Sequence, residues 1–278
     1  MLFSITRHGL TVLFFLIFLT YEVPRDKISL ETYFCEVSMK HICPDNLLDF
    51  AFVNFDTLEY PVRGIFCYLH GYTDATMFTQ SNEMAALFGK HGIAWVFPYY
   101  SVWAWMSRSS QIFNEQVLDA VYERLGVDDT VPLMVGGGSM GGLTALNYLV
   151  YGKREVIGCA LNCPVTDMNQ IYEDYFDFRR AILSAHIDEQ EDLNTVMARY
   201  SPVRFVNQLP KIPYFLLYGQ NDTYFTDVQR PPFLRECDQN GLTYELLIQP
   251  QMGHCDMSNS PDAFQRFCDF LISLPDKQ

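Results

Sequence analysis

The residues 136–142 read Gly-Gly-Gly-Ser-Met-Gly-Gly, so Gly137, Ser139 and Gly141 form a Gly-x-Ser-x-Gly element. Such an element holds a serine on a strained turn between a strand and a helix, where side chains two positions to either side would collide with it. A serine hydroxyl is a weak nucleophile until a base removes its proton, and the base needs an acid to orient it. Of the six histidines only His186 and His254 follow Ser139. His186 falls in a stretch of helical character, whereas His254 follows an apolar run and precedes the last helical segment, which is where a base belongs when the chain order is serine, acid, histidine. The acid should close a strand between the two. Asp222, in Gly219-Gln220-Asn221-Asp222, takes that place, with Asp167 one strand earlier as runner-up and Asp227 third.

An acyl transfer also needs two donors aimed at the developing oxyanion. The residue after the nucleophile supplies one through its backbone amide, here Met140. The other comes from the loop after an early strand, His70-Gly71-Tyr72-Thr73, and is assigned to the Tyr72 amide, with His70 packing that loop. Two rival readings of the glycines lose on context. Gly136, Gly138 and Gly141 also match Gly-x-Gly-x-x-Gly, but the next strand ends in Leu161-Asn162-Cys163 without the carboxylate a dinucleotide site requires. No Gly-Lys-Ser/Thr follows, which removes a phosphate loop.

The elements that must hold these residues are short apolar runs alternating with segments of helical period from residue 64 onward. That alternation is the pattern of βαβ units, a mostly parallel sheet with helices on both faces and an α/β fold. Strands are expected at 64–69, 93–97, 131–135, 156–163, 213–218 and 244–249. A helix over 111–125 stops at Gly126, and a last helix follows Ser260 as N-cap and Pro261 as first residue. Residues 169–211 break the rhythm and read as a helical cap insertion. The aromatic run 99–106 leaves the carboxyl edge of the sheet, so Tyr99, Trp103 and Trp105 are candidate walls of a substrate pocket beside Ser139.

Across 278 residues, 49% are hydrophobic and the formal net charge is −14. The apolar content supports one core, and the acidity disfavours nucleic acid and anionic lipid as partners. The eight cysteines show no Cys-x-x-Cys and no metal-binding spacing. Cys67, Cys159 and Cys163 lie in apolar runs and read as buried thiols; only Cys35 and Cys43 tempt a bridge. Residues 10–20 are apolar but shorter than the ~20 a membrane span needs, and no small-residue cleavage site follows. Residues 1–25 are therefore set apart as an amino-terminal apolar segment, either strand, signal or anchor, ahead of a catalytic domain over 26–278. A membrane anchor is the less favoured reading and a cytoplasmic location the favoured one.

With these motifs in place, the sequence resembles the catalytic domain of the prolyl oligopeptidase family. The double glycines around Ser139, Ser201-Pro202 before Leu209-Pro210-Lys211-Ile212-Pro213, Tyr218-Gly219-Gln220-Asn221-Asp222, and Gly253-His254 carry the likeness over roughly residues 64–270. The resemblance implies an α/β-hydrolase fold and a serine hydrolase working through an acyl-enzyme, without metal or organic cofactor. It also offers the Tyr72 phenol as an alternative oxyanion donor. The family's peptidases carry a β-propeller for which too few residues precede Gly64, so a carboxylesterase on small acyl substrates leads and a peptidase on short peptides is the alternative. A non-catalytic binding protein that kept the fold is the reading from another class.

Overall fold

The computed structural model describes residues 41–75 and 77–277; the expectations for residues 1–25 and for Cys35 lie outside them. Seven strands form one sheet: β1 (Ala51–Val53), β2 (Gly64–Leu69), β3 (Ile93–Pro98), β4 (Leu133–Gly138), β5 (Val156–Asn162), β6 (Tyr214–Gly219) and β7 (Tyr244–Gln249). Their order is β1-β3-β2-β4-β5-β6-β7, and only β1 runs antiparallel to its neighbour. All the carboxyl ends of the parallel strands therefore open on one edge, the place where such sheets bind ligands.

Side-chain alternation explains the two-sided core. On β2, Ile65, Cys67 and Leu69 pack on one face and Phe66 and Tyr68 on the other; β6 repeats this with Tyr214, Leu216 and Tyr218 against Phe215 and Leu217. The first face is covered by α2 (Arg108–Leu125), α3 (Met140–Tyr151) and α7 (Thr226–Gln239) through Val117, Leu143 and Phe233. The second is covered by α1 (Glu83–Lys90) and α8 (Pro261–Ser273) through Phe88, Phe267 and Leu271. The insertion folds as α4 (Met168–Asp174), α5 (Phe176–Ala185) and α6 (Leu193–Tyr200), followed by short 3-10 turns.

Local signals fixed several ends as expected. Gly126 caps α2 at φ 66, and the Ser260 hydroxyl accepts the Ala263 amide ahead of Pro261. Other boundaries differ by one to three residues, and one strand was not expected. The strand expected at 131–135 starts at Leu133 and runs on through the glycines to Gly138, because these pair with Ala160, Leu161 and Asn162 of β5. Helix α2 begins at Arg108, three residues earlier, where the Ser107 hydroxyl accepts the Ser110 amide. Strand β1, three buried residues paired to β3, has no run long enough to signal it in the sequence. Among the described residues no helix is long and apolar enough to cross a membrane.

Candidate active site

Ser139 stands between β4 and α3 at φ 55 and ψ −121. That conformation costs about 1–3 kcal/mol for a residue with a side chain, and the surroundings hold it. The Ser139 amide donates to the Asn162 carbonyl at 3.0 Å, while its own carbonyl accepts the amides of Gly142 and Val165, each at 3.0 Å. Glycine is required on both sides. A Cβ on Gly137 would lie 2.5 Å from the Leu69 carbonyl oxygen, and one on Gly141 would lie 1.9 Å from the same atom. Met140 is the first residue of α3, so its N–H has no acceptor within the helix and points, with the positive end of the helix dipole, toward the sheet edge.

His254 lies in the loop between β7 and α8, and its Nδ1 is 2.7 Å from Asp222 Oδ2. The Asp222 side chain is 1% exposed, and its Oδ1 accepts the Tyr224 amide at 2.8 Å. The carboxylate fixes the imidazole with Nδ1 protonated and the lone pair on Nε2. The rings of Tyr224 and Phe225 stand 4.9 and 5.1 Å from that imidazole. Burial works against charge on His254, but hydrogen bonding to Asp222 and to Cys163 outweighs it and pushes the pKa up to about 9. Beside this ring, Cys163 Sγ and Cys255 Sγ lie with an imidazole nitrogen within 4.8 Å of one another. Cys163 was expected inside the strand; it sits one residue past β5 at φ 45, where its sulfur accepts the Gly219 amide at 3.4 Å.

Ser139 and His254 line one cavity of about 970 Å³, together with Gly71 and Tyr72 of the loop after β2. Residues 174–178 of the insertion and Tyr224-Phe225 complete the wall. Four carboxylates, Asp74, Asp174, Asp177 and Asp256, face the same space, and among the described residues no lysine or arginine does.

The expected aromatic wall is displaced. Tyr99, Trp103 and Trp105 do not line this cavity. Trp103 is 46% exposed, and the Tyr99 hydroxyl donates to the Phe78 carbonyl in the opposite core. Trp105 is buried one layer behind the wall, 6.1 Å from Tyr72 and 5.5 Å from Phe178. The run turns inward because Trp105 and Met106 adopt positive φ, with His186 Nε2 bonded to the Trp105 carbonyl at 2.7 Å.

The other candidates fall into structural places. His70 is buried and stacked on Tyr100 at 3.8 Å, its ring nitrogens 2.8 and 3.1 Å from the Gly71 and Tyr100 carbonyls. Asp167 caps α4 by accepting the amides of Asn169 and Gln170. Asp227 is exposed and pairs with Arg230. Sequence reasoning missed Tyr224, Phe225, Asp74, Asp256 and the Cys163–Cys255 pair. The signal for most of them was proximity in the chain, since each follows the carboxyl end of a strand within a few residues of an assigned position.

Residues 115–277 match the sequence profile described as the prolyl oligopeptidase family. The chain belongs to the prolyl oligopeptidase family. Its sheet and flanking helices are those of the α/β-hydrolase fold. No curated protein matches it by sequence. Similar solved structures include dipeptidyl peptidase 4 of Porphyromonas gingivalis, at 15% identity and a TM-score of 0.60 over 81% of this chain and 33% of that one. Esterase B of Lactobacillus Rhamnosis aligns at 16% identity and a TM-score of 0.59, covering 80% and 79% of the two chains. A puromycin-hydrolyzing peptidase of Mycobacterium tuberculosis gives 18% identity and a TM-score of 0.60, with 79% and 34% covered. The chain thus spans about a third of the length of the peptidases it resembles and matches the esterase over most of both lengths.

Proposed function

We propose that this member of the prolyl oligopeptidase family is a carboxylesterase on small acyl substrates, with Ser139, Asp222 and His254 as its triad. The observation that carries the reading is the 2.7 Å bond from His254 Nδ1 to a buried Asp222, on the same cavity as a serine held at positive φ. His254 Nε2 takes the Ser139 proton as Oγ attacks the acyl carbon, and the imidazolium that forms is stabilised by Asp222. The amides of Met140 and Tyr72 are the proposed oxyanion donors. Collapse passes the proton from His254 to the leaving oxygen, and a water activated by the same nitrogen then releases the acid.

The lining of the cavity supports this choice of substrate class. Tyr72, Phe178 and Phe225 offer apolar surface at about 25 cal/mol per Å² buried, while the four aspartates repel anionic acyl groups. Neutral and cationic substrates are favoured. The same carboxylates support the second reading, a peptidase on short peptides, because they suit an amino-terminal ammonium or a basic side chain. A panel of p-nitrophenyl esters beside aminoacyl amides, each with neutral, cationic and anionic members, tests both. The esterase reading expects higher kcat/KM on neutral short esters than on any amide, and a preference for amides would reverse the order.

A further inference from the structure

We propose that Cys163, His254 and Cys255 form an inhibitory site for a soft divalent cation of the Zn²⁺ type, built onto the back of the candidate active site. The three ligand atoms come from two loops that are far apart in the sequence, the first past β5 and the second past β7, and they lie within 4.8 Å of one another. Tetrahedral zinc with Zn–S near 2.3 Å and Zn–N near 2.0–2.1 Å places its ligands about 3.5–3.8 Å apart, so small side-chain adjustments close the site. Two thiolates and one imidazole select thiophilic cations over Mg²⁺ and Ca²⁺.

The groups that orient these ligands are already in place. Asp222 holds His254 at Nδ1, the arrangement in which a carboxylate orients a metal-binding imidazole and raises its basicity. The Gly219 amide bonded to Cys163 Sγ favours the thiolate, and the Cys255 thiol donates to the Asn162 carbonyl at 3.1 Å, which fixes its position. His254 and Cys255 line the cavity, which provides an entry path. Binding forms two Zn–S bonds and one Zn–N bond and releases to solvent the protons that the two sulfurs and His254 Nε2 carried beforehand. No oxidant or reductant is involved. Occupation removes the lone pair that would accept the Ser139 proton, so hydrolysis stops until the ion is withdrawn. This inhibitory consequence rests on the proposed role of His254, but metal binding itself does not.

The experiment separates the two. Reduced, chelator-stripped protein is titrated with Zn²⁺ by calorimetry and with Co²⁺ by absorption, where thiolate ligation gives a charge-transfer band and tetrahedral visible bands. One ion per chain is expected. Cys163→Ser, Cys255→Ser and His254→Gln should each weaken binding at least about 10-fold, the smallest loss typical even of residues that only orient a ligand. Fluorophosphonate labelling of the wild-type chain should slow in proportion to zinc occupancy and recover on adding chelator, with Mg²⁺ inert. Absence of the thiolate band in the wild-type chain, or binding that survives both cysteine substitutions, overturns the site. Stoichiometric binding that leaves labelling unchanged overturns the inhibition. A metal-free chain that never labels counts against the triad, while the titration still decides the site.

Discussion

Asp222 Oδ2 meets His254 Nδ1 at 2.7 Å with the carboxylate side chain 1% exposed, so the acid bonded to the imidazole is also shielded from water. Asp167, its rival by chain order, is occupied in capping α4. Asp222→Asn should therefore lower kcat by about 10⁴-fold by favouring the wrong tautomer. Asp167→Asn should leave kcat nearly unchanged, since asparagine caps helices about as well as aspartate. Steady-state kinetics on one activated ester, with melting curves to confirm folding, checks both; a larger loss at Asp167 would move the acid one strand earlier.

The pH profile follows from the raised pKa of His254. The working base is the neutral imidazole, so a folded pKa of about 9 means activity is lost as pH falls below that value. In chelator-containing buffer, kcat/KM should climb through neutral pH and level off above about 9. Hydrogen bonding to Cys163 is one of the causes of the rise, so Cys163→Ser should move the midpoint to lower pH. A wild-type profile already flat from about pH 7 would contradict this electrostatic account.

Much of the chemistry was legible because it is local or ordered along the chain. Gly137, Ser139 and Gly141 announce the turn, since only glycine fits against the Leu69 carbonyl, and Asp222 and His254 each follow a strand whose apolar run is plain. What is not legible depends on where loops fold back. Trp103 and Trp105 read alike in sequence, yet the positive φ of Trp105 and its neighbour turns one under the wall and leaves the other in solvent. Cys163 and Cys255 meet only because β5 and β7 flank β6 in the sheet, a placement that spacing along the chain does not give.

The displaced aromatic run yields its own prediction. Trp105→Ala should destabilise the fold by about 3–5 kcal/mol, because the ring is 1% exposed and packs behind Tyr72 and Phe178. Trp103→Ala should cost under about 0.5 kcal/mol and leave the acyl-chain profile as it was. Phe178→Ala, on the wall itself, should shift that profile toward longer p-nitrophenyl esters. A profile altered by Trp103→Ala and not by Phe178→Ala would place the acyl pocket on the other side of Ser139.

The nucleophile turn leaves no room for a methyl group. Gly141→Ala would set a Cβ 1.9 Å from the Leu69 carbonyl oxygen, a backbone atom that cannot move without shifting β2. The variant is expected to lose fluorophosphonate labelling and to melt well below the wild type, by differential scanning calorimetry. Full labelling with an unchanged melting temperature would show that the turn is looser than its contacts indicate.

The central claim is that Ser139 is the nucleophile, and the most direct measurement is the site of covalent modification. Wild-type chain treated with a fluorophosphonate and digested should carry the adduct on the peptide containing Ser139. The Ser139→Ala chain should carry none and should turn over esters at least about 10⁴-fold more slowly while melting normally. An adduct on another residue, or labelling and turnover retained in Ser139→Ala, would contradict the account.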